Sequence, residues 1–482
     1  MSTSPVQIAR RPRLAIAVLC LGGLTAALVQ TLVIPIQSEL PELLHTSASN
    51  AAWVVTVTLL TAAVVMPVAG RVADLVGKQR VIAVSAMILL VGSVICALSD
   101  SIVPMLAGRA LQGLAMGFIP VGISLIREIA PPEIAGTSLA AMSATLGVGG
   151  AIGLPFAAWI TDVGDWHALF WVAGGAALLI LILVMTIVPH IHDGSSGRLD
   201  VTGAIGLAIG LVAFLVGISK GNEWGWSDPE TLIFIIGGLV VLLLWGVFEL
   251  RQDEPLVDLR TTARMPVLMT NLAAVAVGFG MMAQSIAVPQ LLQLPESTGY
   301  GLGQSILAAG LWMAPGGLMM LIFAPVSGGL IARFGARITL MTGAAVIGVG
   351  YLVAVFLMDA PWQLLVATCV ASAGVGIGYA AMPTLILDSV DAREAGSAVG
   401  LNSLMRSMGT TFAAAVMAAI LTSNTTLMGS LNIPTKGAFQ VCFIVGAVAT
   451  FVGVAIAWGI PRRANFKTVD PVDPADLVAT SA

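Results

Sequence analysis

The sequence predicts an all-α integral membrane protein of fourteen spans, two six-helix bundles with a helix pair inserted between them. Three observations predict it. The composition is 58% hydrophobic and only 10% charged, against about 25% charged residues in soluble domains. The apolar residues gather in long runs, and a helix needs about 20 such residues to cross a hydrocarbon core of about 30 Å. All but four of the 21 Lys and Arg residues fall in alternate gaps between those runs, the asymmetry expected of cytoplasmic loops. The runs lack the alternation of about ten residues that marks barrel strands.

Taken in order, the first run extends from Leu14 to about Ile36 behind Arg10, Arg11 and Arg13. It has no small-residue cleavage site and reads as a retained helix. Five more runs begin near Trp53, Val81, Ile102, Leu139 and His167, completing a bundle over 14–188. Runs near Val201 and Thr231 form the inserted pair, 201–249, and runs near Val267, Ser305, Ile338, Trp362, Ala398 and Gly437 fill 267–460. Residues 461–482 remain as a cytoplasmic tail, so both termini lie inside. No gap is long enough to house a further folded domain.

On this count only Lys220 and Lys436 face outside, and the outer gaps carry acids such as Glu39, Asp162 and Glu223. Arg109 and Arg406 lie within apolar runs, where a charge is costly and marks a functional candidate. Cys20, Cys96, Cys369 and Cys442 sit in four different runs, as small apolar residues rather than disulfide partners. The net charge of -4, spread over loops, suggests neither a nucleic-acid partner nor a soluble acidic one.

An internal echo supplies the architecture. Gly70-Arg71-Val72-Ala73-Asp74-Leu75-Val76-Gly77-Lys78 returns as Gly328-Gly329-Leu330-Ile331-Ala332-Arg333-Phe334-Gly335-Ala336, each copy following a membrane run. Eight runs separate the copies, which fits two related six-helix halves and an extra pair. Duplicated halves with a site at their interface are the plan of many secondary transporters.

These residues resemble the major facilitator superfamily, and within it the fourteen-helix drug:proton antiporter branch, over nearly the whole chain. Gly70 to Arg80 is similar to the family's loop between helices 2 and 3, and Leu106-Ala107-Gly108-Arg109-Ala110-Leu111-Gln112-Gly113 to its helix 4 motif. Lys220 to Trp226, Glu249 to Arg260, Gly400-Leu401-Asn402 and Arg406 to Gly409 resemble branch patterns. The resemblance implies that Asp74 holds the halves together when the inside is closed and that Arg109 takes part in proton coupling. Three positions depart from it. Val29 stands where the branch carries an Asp two residues before a Thr, the helix 5 proline is displaced to Pro155 within Gly147 to Pro155, and Ala332 replaces an acid in the second loop copy.

The site expectations follow. Arg109, Gln112 and Arg406, with Glu39 or Asp162 at the outer mouth as titrating groups, are candidates for coupling or transport. Gly70, Asp74, Gly77, Lys78, Arg80 and Glu128 are expected to form a cytoplasmic gate, in which Lys78 or Arg80 pairs with Glu128 and Asp74 meets the N-terminus of a C-half helix, where a carboxylate is favoured. Gln30, Trp53, Gln284, Trp312, Met313 and Asn402 are candidates for a substrate cavity, since aromatic, thioether and amide groups suit varied organic ligands. No H-E-x-x-H cluster is present, and Gly77-Lys78-Gln79 lacks the remainder of a phosphate loop, so neither a membrane enzyme nor ATP-driven transport is expected. The expected protein is a monomeric secondary exporter of amphipathic or cationic organic compounds in a bacterial inner membrane, without a cofactor and driven by a proton gradient. A narrow exporter or importer of a metabolite such as a diamine or amino acid is the alternative, with a membrane enzyme or receptor the remotest reading.

Overall fold

A computed structural model describes residues 12–34, 36–37, 39–190, 197–428 and 431–461. The expected tail over 461–482 thus lies outside the described residues apart from its first position. Fourteen helices run the length of the molecule: α1 Pro12–Thr31, α2 Ala48–Val76, α3 Lys78–Ala97, α4 Ile102–Ile129, α5 Pro132–Val163, α6 His167–Ile187 and α7 Val201–Trp224. After them come α8 Pro229–Glu249, α9 Met265–Gln293, α10 Ile306–Phe334, α11 Ala336–Phe356, α12 Pro361–Leu387, α13 Ala395–Ser423 and α14 Lys436–Trp458. Thirteen are long and apolar enough to cross a membrane as they stand; α5 makes the fourteenth as a pair of segments bent by 49° between Gly150 and Pro155. The bend has a local cause, because Pro155 removes a backbone donor and crowds the preceding turn.

Several helices begin earlier than the apolar runs suggest. α2 starts at Ala48 because the Ser47 hydroxyl accepts the Asn50 amide hydrogen at 3.3 Å and caps it. α5 starts at Pro132, where Pro is pre-set for a first helical turn. Apolarity reports the lipid-contacting stretch, whereas capping and proline set where a helix ends. The structure also adds an element that an all-α reading omits: an antiparallel hairpin, β1 Thr425–Met428 and β2 Leu431–Pro434, pairing Thr425 with Pro434 and Thr426 with Ile433 between α13 and α14. Its threonines and Ile433 are residues that favour extended backbone.

The halves meet along two seams, α2 on α13 and α5 on α10. The sequence offset that carries α2 onto α10 also carries α5 onto α13, so each seam is the image of the other. Apolar burial drives little association in lipid, and small residues that let backbones approach take over that role. A Cβ at Gly70 would lie 2.1 Å from the Gly396 carbonyl oxygen, and one at Gly328 would lie 2.9 Å from the Thr137 amide nitrogen. The echoed glycines are therefore the contact points of the two seams. α7 packs against both α2 and α13, while α8 packs on α7 and turns residues such as Ile233, Leu243 and Leu244 outward, as a lipid-facing helix does.

Most Lys and Arg side chains lie at one end of the bundle, the basic face, with the α2–α3, α4–α5, α10–α11 and α12–α13 turns. The α3–α4, α5–α6, α7–α8 and α13–α14 turns form the opposite face.

Candidate gate and interior polar sites

At the basic face Gly77 terminates α2 and begins α3 with φ +101°, and Gly335 does the same between α10 and α11 with φ +84°. Side chains rarely adopt that conformation, which accounts for the echoed glycine. Three residues back, the Asp74 carboxylate accepts the Gly396 and Ser397 amide hydrogens, each at 3.0 Å, in the first turn of α13. These donors have no partner within their own helix, and the helix dipole favours an anion there. Gly70, one turn earlier, brings the two backbones together. Asp74 and Gly70 thus act as a two-point clamp between the halves.

Two ion pairs flank the clamp. Lys78, buried, binds Glu128 in the last turn of α4. Arg127 reaches Asp388 beyond α12 at 3.3 Å and so crosses between halves. Arg80 does not share Glu128: two positions beyond Lys78, and so about 200° around α3, it is exposed. Arg71, Glu249, Glu254, Asp258, Glu394 and Ser397 line a cavity of about 150 Å³ next to the clamp. Burial raises the Asp258 pKa, but hydrogen bonds from Thr261 and the Arg260 amide outweigh it and hold the carboxyl below its ordinary value.

Arg109 sits seven residues into α4 from the opposite face, about 10 Å deep. It is buried, and its guanidinium is satisfied without a carboxylate. Nε donates to the Val54 carbonyl at 3.1 Å, and one terminal nitrogen donates to the Val29 carbonyl at 3.0 Å and to Gln112 Oε1 at 2.7 Å. Gln112 Nε2 in turn donates to Ser93 Oγ at 3.0 Å, and the Thr58 hydroxyl to the Arg109 carbonyl at 3.2 Å. The position where the resemblance implies an Asp on α1 therefore still serves Arg109, through its backbone. Glu39 is exposed and stands apart from this network, and the Asp162 side chain lies outside the described residues.

Arg406 is placed otherwise. It is 6% exposed, and its guanidinium lies 4.4 Å from the centre of the Tyr379 ring. One turn before it, Asn402 Nδ2 donates to Asn271 Oδ1 of α9 at 2.9 Å. Tyr379 belongs to a break in α12, between Gly378 and Ala381. Nothing in the sequence singled out Tyr379 or Asn271, since the glycine-rich run ending at Gly378 reads as a packing seam.

The six residues expected to line a cavity occupy different surroundings. Trp53 is half-buried beside α7, with Lys220 Nζ 5.2 Å from its ring centre, and so belongs to the contact with the inserted pair. Lys220 is itself buried and pairs with Glu223, which also accepts from Ser49. Trp312 donates to Gln304 at 3.1 Å and, with Met313, packs on the C-terminal bundle. Gln30 and Gln284 are half-buried, and Asn402 is fully buried.

Two related bundles joined by polar contacts, with charged residues between the helices, are an arrangement found in membrane transporters. Comparison with known proteins places it further. The profile of the Major Facilitator Superfamily matches residues 19–260 and 270–479, and the chain belongs to that family. The MFS-type transporter YhcA of Bacillus subtilis is 24% identical over 433 residues, 88% of this chain and 80% of YhcA. The lincomycin resistance protein LmrB of the same organism is 25% identical over 334 residues, 69% of this chain and 68% of LmrB. Relatives from Mycobacterium tuberculosis named as multidrug resistance proteins match at 25% and 26% identity. Among solved structures, the human organic anion transporter MFSD10 superposes with a TM-score of 0.66 at 15% identity, covering 92% of this chain and 99% of that one, a likeness of fold. The protein is thus a multi-pass membrane transporter of a family that acts on small organic substrates.

Proposed function

We propose that this protein is a monomeric secondary active exporter of amphipathic organic compounds, of the fourteen-helix drug:proton antiporter branch, working by alternating access and proton exchange. The basic face is assigned to the cytoplasm, since Lys and Arg are retained on that side. The bundles over 14–188 and 267–460 are the moving halves, and the pair over 201–249 rides on the α2–α13 seam. Asp74 is the observation that carries this reading. A carboxylate that crosses between halves to cap α13 closes the cytoplasmic side by two hydrogen bonds, strong enough to hold a state and weak enough to release it. Relatives named for lincomycin and multidrug resistance support export of organic compounds.

The helix 1 acid of the branch is absent, since Val29 stands at its position and its carbonyl accepts from Arg109. That feature also favours a second reading, a carrier narrowed to one metabolite. Uptake of organic dyes into everted membrane vesicles tests the proposal. The expected result is accumulation that rises when the lumen is acidified, is absent from vesicles lacking the protein and falls with Asp74→Asn. Accumulation indifferent to the pH gradient for every accepted dye excludes proton exchange, and accumulation undiminished by Asp74→Asn removes the gate.

A further inference from the structure

The two arginines inside the bundles differ in one respect. Arg109 meets three acceptors, whereas among the described residues no hydrogen-bond acceptor meets the Arg406 guanidinium. A guanidinium offers five N–H donors and accepts nothing, and an unpaired buried cation is expensive. Ring stacking offsets only part of that cost.

Arg406 is too deep to reach the headgroups. It lies eleven residues into α13, about 17 Å from the basic face and so close to the middle of the bilayer. Its backbone is pinned against α9, since a Cβ at Gly278 would lie 2.3 Å from the Arg406 carbonyl oxygen. The nearby amide pair adds a second open donor, for Asn271 is 2% exposed and its Nδ2 has no partner. The break in α12 that carries Tyr379 is a third feature, because interrupted helices at mid-depth build substrate sites in secondary transporters. None of α9 to α14 contains an Asp or Glu to neutralise these groups.

We infer that Arg406, stacked on Tyr379 and extended by the Asn402–Asn271 amides, binds the anionic group of an aromatic organic acid, so that the exported substrates are organic anions. This rests on the reading of the chain as an exporter and names its substrate class. The half-buried Met405 of α13 offers apolar surface to an aromatic body, and the guanidinium fork, held on the buried Tyr379 ring, suits a carboxylate or sulfonate. A cation brought to the same place would be repelled without a carboxylate to hold it.

The charge of the substrate has an energetic consequence. Exchange of one monocation for one proton moves no net charge, whereas export of one anion against entry of one proton moves two in the direction an inside-negative potential favours. Each charge moved is equivalent to a concentration ratio of about fiftyfold per 100 mV.

Three probes of one shape test the inference on the detergent-purified protein: 2-naphthoate, 2-naphthamide and 2-naphthylmethylammonium, compared by the rise in melting temperature each produces. Wild type is expected to bind the anion at least tenfold more tightly than the amide, and the amide more tightly than the cation. Arg406→Gln is expected to cost tenfold or more for naphthoate and less than twofold for naphthamide, with Arg406→Lys between. The wild-type order alone overturns the inference if the cation binds as well as the anion or if none of the three binds. So does an Arg406→Gln protein that keeps its naphthoate affinity. Dye accumulation in everted vesicles that persists alongside such a result removes the substrate class and leaves the exporter standing.

Discussion

Replacing Asp74 with Asn isolates the charge of the proposed clamp, because size and one acceptor oxygen are kept. Wild type holds the first turn of α13 with two hydrogen bonds at 3.0 Å, and bonds to charged groups contribute about 1.5–3 kcal/mol each. Asparagine retains one neutral bond, turns an NH2 group toward the second amide and loses the favourable field of the helix terminus, worth about 0.3–1 kcal/mol. The closed basic face should therefore lose about 2–4 kcal/mol, a shift of roughly 30- to 900-fold toward the state open on that side. Arg80 and Arg393 are exposed on opposite halves of this face, and spin labels at both positions, with the four native cysteines replaced, report its opening. The expected result is a distance distribution moved to longer values by Asp74→Asn and left unchanged by Arg198→Gln in the linker before α7. Identical distributions for wild type and Asp74→Asn would refute the clamp.

Other perturbations follow from the same contacts. Gly70→Leu places side-chain atoms where a Cβ alone already lies 2.1 Å from the Gly396 carbonyl oxygen, so dye transport should be lost while the protein still reaches the membrane, as read by immunoblot. Lys78→Gln should lower the melting temperature by removing the partner of Glu128, at a cost of about 2–3 kcal/mol, below the 3–5 kcal/mol of a fully dry pair because Glu128 is partly exposed; the exchange Lys78→Glu with Glu128→Lys should recover part of it. Arg109→Lys cannot reach three acceptors with one ammonium, and its melting temperature should fall further than that of Arg80→Lys, which breaks no hydrogen bond or ion pair among the described residues. Val29→Asp puts a carboxylate next to the Arg109 guanidinium, and the pH profile of the transport rate should gain a titration step absent from the wild-type profile.

Much of this was legible in the sequence, for physical reasons. A bilayer forces continuous apolar runs, so the spans announced themselves, and Gly70, Gly77, Gly328 and Gly335 echo because both turns need φ > 0 and both seams need close backbones. That a carboxylate at position 74 meets a helix N-terminus followed from the dipole. What a linear pattern does not carry is azimuth and backbone. Lys78 and Arg80 are equivalent as a string, yet they point to different sides of α3. Val29 reads as the loss of a partner for Arg109 because side-chain types are visible in a sequence and carbonyl directions are not. Tyr379 lies under Arg406 only because α12 breaks after Gly378, and glycine runs signal close packing and interruption alike. The hairpin over Thr425 to Pro434 was hidden for a simpler reason: a short polar connection of mixed residues has no period long enough to read.

Counterflow in proteoliposomes tests the central claim, alternating access by a secondary carrier, most directly. Vesicles loaded with an unlabelled organic ligand that raises the protein's melting temperature are diluted into a trace of the labelled compound, with no ATP and no ion gradient. The account expects a transient accumulation of label above equilibrium, abolished in vesicles without the protein. Entry that rises only to equilibrium would reveal a passive pore, and label that never enters would contradict transport itself.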